Sequence, residues 1–143
     1  MNPDSIASSP GEMMQLGATF AATARPGDIF ALTGELGSGK THWTKGFIGQ
    51  IQPDTIVTSP TFGIVNSYTG GSPAIHHFDF YRIKSANELI DLGWDEYLDD
   101  HGIIICEWAD LFPQLFPDHA VWLEFTHLQG DSRRVTQSNR KSR

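Results

Sequence analysis

Gly34-Glu35-Leu36-Gly37-Ser38-Gly39-Lys40-Thr41 fits G-x-x-x-x-G-K-[ST], the loop pattern that wraps nucleotide phosphates, and it dictates the elements on either side of it. Such a loop needs a strand to deliver it and a helix to follow it. Asp28-Ile29-Phe30-Ala31-Leu32-Thr33 reads as the short buried strand, and Thr41 to Ile48 as the helix. The glycines let backbone N–H groups turn toward an anion with no Cβ in the way. The helix then points its partly positive N-terminus at the phosphates. In this pattern Lys40 reaches the β- and γ-phosphates and the Thr41 hydroxyl meets Mg²⁺. The chain is therefore expected to bind a nucleoside triphosphate.

Composition narrows the class further. A length of 143 residues and an apolar fraction of 39% suit one folded domain, residues 1–143, with flexible ends at 1–10 and 137–143. A formal net charge of −7 leaves little to attract a phosphate backbone over long range, so any RNA this chain serves is expected to be held by another subunit. Arg133, Arg134, Arg140, Lys141 and Arg143 in the tail are the exception to test. One cysteine, Cys106, excludes an internal disulfide and a multi-cysteine zinc site. No stretch is long and apolar enough for a membrane span, and no signal-peptide layout opens the chain. A cytoplasmic protein is expected.

Along the chain, residues 1–10 look too polar for a regular element. Met13, Leu16, Phe20 and Ala21 give Glu12 to Thr23 a helical spacing. Thr61 to Tyr68 and Ala74 to Phe80 read as strands, and the Gly-Gly-Ser-Pro turn between them predicts an antiparallel hairpin. Ser85 with Glu88 resembles a capping box for a helix from Ala86 to about Ile90, and Trp94 to Leu98 suits a second short helix. Gly102 to Cys106 is a continuous apolar run, as in a strand buried on both faces. His119 to Phe125 is a further strand. The fold class predicted is α/β, a P-loop NTPase with a central mixed β-sheet flanked by helices.

Hydrolysis needs more than a phosphate loop. A hydrophobic strand ending in a carboxylate commonly stands beside the loop and holds the metal. Ile103-Ile104-Ile105-Cys106-Glu107 has that form, although a core strand followed by a chance acidic residue would read the same. Asp79 ends another strand and could complete a metal and water site or be structural. Thr58-Ser59-Pro60-Thr61 could sense the γ-phosphate or be an ordinary turn. Adjacent His76 and His77 point to opposite faces of a strand and cannot share one ion, so His77 is expected to hold Asp79 or the Thr58 loop. Asp99-Asp100-His101-Gly102 precedes its strand, unlike the D-x-x-G of GTPases, and no N-K-x-D motif reads guanine.

These segments, taken in order, resemble the TsaE family, the YjeE-like P-loop ATPases of tRNA threonylcarbamoyladenosine biosynthesis. The match runs from Gly34–Thr41 through Thr58-Ser59-Pro60-Thr61-Phe62 and His77-Phe78-Asp79-Phe80-Tyr81-Arg82. It continues through Glu88-Leu89 and Leu92-Gly93 to Glu107-Trp108. The resemblance implies that Leu36, Gly37, Ser38, Gly39, Lys40 and Thr41 bind ATP, with Trp108 and Arg134 as further nucleotide contacts. It implies Mg²⁺ on Thr41 and Glu107, and catalytic roles for Lys40 and Asp79. It also implies TsaD-like and TsaB-like partner subunits, which complete an ATPase that is slow alone. Met13 stands where the family often has a Thr near the nucleotide. Two rivals differ in class: a small-molecule kinase with Asp79 as base, and a nucleotide-dependent interaction switch without turnover. Between Lys45 and Arg133 the only cations are Arg82 and Lys84, which argues against the Arg-rich lid of a kinase.

Overall fold

The computed structural model describes residues 4–35, 37–58, 60 and 64–138. Its elements in chain order are β1 (Asp4–Ala7), α1 (Pro10–Thr23), β2 (Ile29–Thr33), α2 (Lys40–Ile51), β3 (Val65–Tyr68), β4 (Ile75–Asp79), α3 (Ala86–Leu92) and α4 (Trp94–Asp99). After β5 (Ile103–Glu107) come two single 3₁₀ turns, Ala109–Leu111 and Pro113–Leu115, then β6 (Val121–His127) and β7 (Arg133–Ser138). The strands form one seven-stranded sheet in the order β1-β7-β6-β2-β5-β4-β3. Strand β2 runs parallel to β5 and β6, and β4 runs parallel to β5. The pairs β3–β4, β6–β7 and β1–β7 are antiparallel. The sheet is mixed, as expected, and the predicted hairpin is β3–β4.

Alternation along the strands sorts side chains onto two faces. Ile75, Ile103 and Ile105 pack with Met13, Trp43 and Phe47 against α1 and α2. Phe78, Ile104 and Cys106 pack on the opposite face with Trp94, Phe116 and Trp122. All five residues of β5 are buried, which explains its unbroken apolar run. By the same period-2 rule, His77 and Asp79 share the face of Ile75, and Glu107 shares that of Ile105. The parallel register pairs Asp79 with Glu107 and Leu32 with Glu107. Both carboxylates therefore lie at the strand ends where the loop leaves β2, the edge at which open α/β sheets bind ligands.

Helix α1 lies directly on α2. A Cβ at Gly17 would sit 1.9 Å from the Trp43 carbonyl oxygen, and one at Gly46 would sit 1.8 Å from that of Met14. Only hydrogen fits at either crossing point, so the two backbones touch. The helix starts at Pro10, two residues before the expected Glu12. Ser9 Oγ accepts from Glu12 N at 3.1 Å as the N-cap, and Glu12 Oε1 reaches one residue further back to accept from Ser8 N at 2.7 Å, a variant of the capping box with Pro in the first turn. At Ser85 the expected box is not made. Glu88 Oε1 accepts from Lys84 N at 2.9 Å, but the serine side chain makes no capping bond.

Three boundary expectations need correction. Residues 4–7, expected to lack regular structure, form β1 because the free edge of β7 supplies their hydrogen-bond partners. Positions 137 and 138, assigned to a flexible tail, end β7, which also carries Arg133 and Arg134. Strand β3 begins at Val65, four residues after the expected Thr61, and residues 61–63 lie outside the described ones.

Candidate nucleotide site

The loop after β2 is shaped for close approach of an anion. Gly37 and Gly39 take left-handed φ values of 76° and 104°, which L side chains adopt at a cost. Ser38 is 1% exposed, and its Oγ is buried with no hydrogen-bond partner among the described residues. Such an orphaned hydroxyl between two glycines of left-handed φ fits an acceptor-rich phosphate chain. Lys40 opens α2. Its ammonium donates to the carbonyl oxygens of Gly34 and Glu35, the latter at 3.2 Å, and lies 4.3 Å from the centroid of the Trp108 ring. Burial lowers the Lys40 pKa, and the carboxylates of Glu107, Asp110, Asp79 and Glu35 oppose that shift, Glu107 most.

The two carboxylates are held from different sides. Asp79 Oδ1 accepts from the Tyr81 backbone amide at 2.9 Å. Burial raises its pKa, partly countered by that amide hydrogen bond. Glu107 is buried, and its Oε2 lies 2.7 Å from His77 Nε2, which has no exposed side-chain surface. His77 was expected to steady Asp79 or the Thr58 loop, and it holds Glu107 instead. Directly after Glu107, Trp108 takes φ 59°, a left-handed conformation that strains a bulky residue. The turn swings the indole over Lys40, and Tyr81 packs against it with ring centroids 5.0 Å apart and the planes tilted by 45°.

Gly37, Ser38, Gly39, Lys40 and Thr41 line one cavity of about 390 Å³, and Asp79, Glu107 and Trp108 line it too. Leu36 lies outside the described residues, as do Ser59 and Thr61 of the switch-like segment. Thr58 is tied to the sheet edge, where Asn66 Nδ2 donates to its carbonyl oxygen at 3.0 Å. Arg134 does not line the cavity; Arg133 does. Neighbours on β7 face opposite ways, and Arg133 shares the phase of Val135, which packs in the α1–α2 core. Arg133 Nε donates to the Gly37 carbonyl oxygen at 3.0 Å, and its guanidinium also donates to that of Gly130 at 3.1 Å. Met13, at the position where the family often has a Thr near the nucleotide, lines the cavity too, and so does Asp131, which sequence reasoning missed. Met13 Cε lies 2.8 Å from where a Cβ on Gly39 would be, so the thioether roofs the loop. His76 belongs elsewhere: its Nε2 meets Asp100 Oδ2 at 2.6 Å and its Nδ1 meets Ser67 Oγ at 2.8 Å.

A family model for "Threonylcarbamoyl adenosine biosynthesis protein TsaE" matches residues 7–135. The chain belongs to the TsaE family. Relatives named tRNA threonylcarbamoyladenosine biosynthesis protein TsaE include one from Bacillus subtilis (strain 168), 38% identical over 128 residues, which are 90% of this chain and 80% of the relative. One from Rickettsia bellii is 32% identical over 97% of this chain and 96% of its own. The crystal structure of YdiB from Bacillus subtilis superposes with a TM-score of 0.80 at 31% identity, covering 94% of this chain and 82% of that one. The TsaE match takes in every element from α1 to β6, and so the loop, both carboxylates and Trp108. Among the described residues no helix is long and apolar enough to cross a membrane.

Proposed function

We propose that this chain is the ATP-hydrolysing subunit that threonylcarbamoyl transfer to tRNA requires, acting in the cytoplasm with TsaD-like and TsaB-like partners. One observation carries the reading: a phosphate loop and two register-paired carboxylates, Asp79 and Glu107, line the same cavity. Phosphoryl transfer asks for that set, since catalysis there is positioning plus charge stabilisation. The names of the TsaE relatives supply the pathway.

The residues fit ATP with Mg²⁺. Thr41 and Glu107 offer hard oxygen donors on one wall, and they would hold the ion, which supplies charge neutralisation for the phosphates when bound. Lys40 neutralises the same phosphates from the loop, with its ammonium held over the Trp108 ring. Asp79 orients a water with the oxygen not used by Tyr81. Arg133, clasped on the Gly37 carbonyl, is the strand arginine suited to the nucleotide. The net charge of −7 favours tRNA contact through the partners.

The test is ATP turnover by the purified chain alone and with the TsaB–TsaD pair. Turnover that rises several-fold with the pair, and that Lys40→Ala removes, is the expected result. ATP binding without turnover in either setting would leave an interaction switch as the correct reading.

A further inference from the structure

His77 sits in β4 between Ile75 and Asp79, on the face that carries the cavity, with no exposed surface. Its two neighbours in phase on β5, Ile103 and Ile105, are plain aliphatic core. An aliphatic residue at 77 would bury a similar surface with no polar atom to satisfy. The imidazole does worse by that measure, because its Nδ1 is buried without a hydrogen-bond partner among the described residues. Core packing alone does not account for a histidine here.

What the ring achieves is one hydrogen bond. Its Nε2 meets Glu107 Oε2 at 2.7 Å, and a carboxylate can only accept, so the shared hydrogen is on Nε2. The other oxygen, Oε1, makes no hydrogen bond to a described residue, while Glu107 lines the cavity with Thr41. A glutamate side chain has three torsions to fix, and a ligand that must be ordered on binding holds its ion less tightly. Asp79 differs, since its support comes from the Tyr81 amide at the mouth of the site.

We propose that His77 is a positioning residue for the metal carboxylate. From inside the sheet its Nε2–H pins Oε2 of Glu107 and leaves Oε1 for a divalent cation beside Thr41. The inference rests on the reading of Glu107 as the Mg²⁺ ligand. His76, one residue away on the opposite face, pairs with Asp100 by the same chemistry but does not line the cavity, and it serves as the internal control.

The experiment is calorimetric titration of ADP into the purified chain, with Mg²⁺ and with EDTA. Wild type, Glu107→Gln, His77→Phe, His77→Gln and His76→Gln are compared. Mg²⁺ should tighten ADP binding in the wild type. His77→Phe should lose about 10-fold of that gain or more, with the EDTA affinity unchanged, as when support for a metal ligand is removed. His77→Gln, whose amide donates from about the position of Nε2, should keep most of it, and His76→Gln should keep all of it. If Glu107→Gln retains the full gain, the metal reading fails and this inference falls with it. If Glu107→Gln loses the gain but His77→Phe keeps it, His77 is core alone and only this inference is overturned. Equal weakening of His77→Phe in Mg²⁺ and EDTA would mean a collapsed loop and would overturn it as well. Should His77→Phe not fold, His77→Asn takes its place: its shorter amide cannot reach Oε2, so retention of the gain equal to that of His77→Gln overturns the proposal.

Discussion

Trp43 and Trp94 are both fully buried, one on each face of the sheet, and only one of them has its indole hydrogen paired. Trp94 Nε1 donates to the Leu115 carbonyl oxygen at 3.0 Å, while Trp43 Nε1 has no partner among the described residues. The histidines divide the same way. Both ring nitrogens of His76 are bonded, whereas His77 has one orphan. Ser38 Oγ and Gln52 Oε1 complete the set of buried unpaired side-chain atoms among the described residues. All four belong to the loop, to α2 with its C-cap, or to the strand beneath it. The face of α3, α4 and the 3₁₀ turns is instead a satisfied aromatic core, with Phe78, Phe80, Trp94 and Phe116 meeting edge to face or tilted. Both faces hold aromatic clusters, but the buried unpaired atoms lie on the α1–α2 side, Ser38 and His77 at its phosphate end and Gln52 at the far end of α2.

The largest effect should fall on the face of α3 and α4. Trp94→Ala is expected to destabilise the fold by about 3–5 kcal/mol, through lost burial, lost ring contacts and the cavity left behind. Urea unfolding reads this directly, and a loss below about 1 kcal/mol would mean that this face does not carry the fold.

Lys40→Ala should show the opposite profile. Each charge-assisted hydrogen bond to a phosphate contributes about 1.5–3 kcal/mol, so nucleotide affinity should drop at least tenfold. The unfolding midpoint should hardly move, because burial already disfavours the ammonium. Unchanged affinity by calorimetry would remove the phosphate-loop reading.

A smaller difference separates the two tryptophans. Trp94→Phe breaks a made hydrogen bond and leaves the Leu115 oxygen without it, while Trp43→Phe removes an unpaired donor. The first should cost about 1 kcal/mol more than the second. Equal costs in parallel urea curves would erase the contrast between the faces.

The smallest effect concerns pH. Burial raises the Asp79 pKa, so the folded chain holds that proton more tightly than the unfolded chain does. Stability tied to this group therefore falls as pH rises from the ordinary carboxylate value through the raised native one. Asp79→Asn should lose that slope in unfolding midpoints and gain slightly at neutral pH. Turnover should run the other way, declining on the acid side as the carboxylate is protonated, and should stay low in Asp79→Asn at every pH.

How far the sequence reveals these features depends on how local their causes are. The strand, loop and α2 follow from adjacent residues, since the glycine spacing and the apolar phase lie within one short stretch. The capping box Ser9-x-x-Glu12 with Pro10 was equally local, and reading it would have started α1 in the right place. Strand β1 was not legible, because its partner β7 lies at the far end of the chain and Asp-Ser-Ile-Ala has no periodicity of its own. Arg133 in place of Arg134 is a matter of phase. Val135 must face the core, and two residues back along a strand brings the arginine to that side. His77 with Glu107 is a phase problem spread over two strands. The alternations Ile-x-His-x-Asp and Ile-x-Ile-x-Glu were visible, but the parallel pairing that joins them was not.

The pairing of β1 with β7 also bears on how this protein can be handled. Asp4 lies opposite Thr136 and Ala7 opposite Arg133, so the first strand covers the outer hydrogen-bonding edge of the last. A truncation that began at Ser8, the obvious choice for someone trimming an unstructured-looking leader, would bare a row of amide and carbonyl groups along β7. Exposed edges of that kind pair with whatever strand diffuses past, which is how soluble domains begin to aggregate. A shortened version should therefore be judged by light scattering over days, not by its first elution profile.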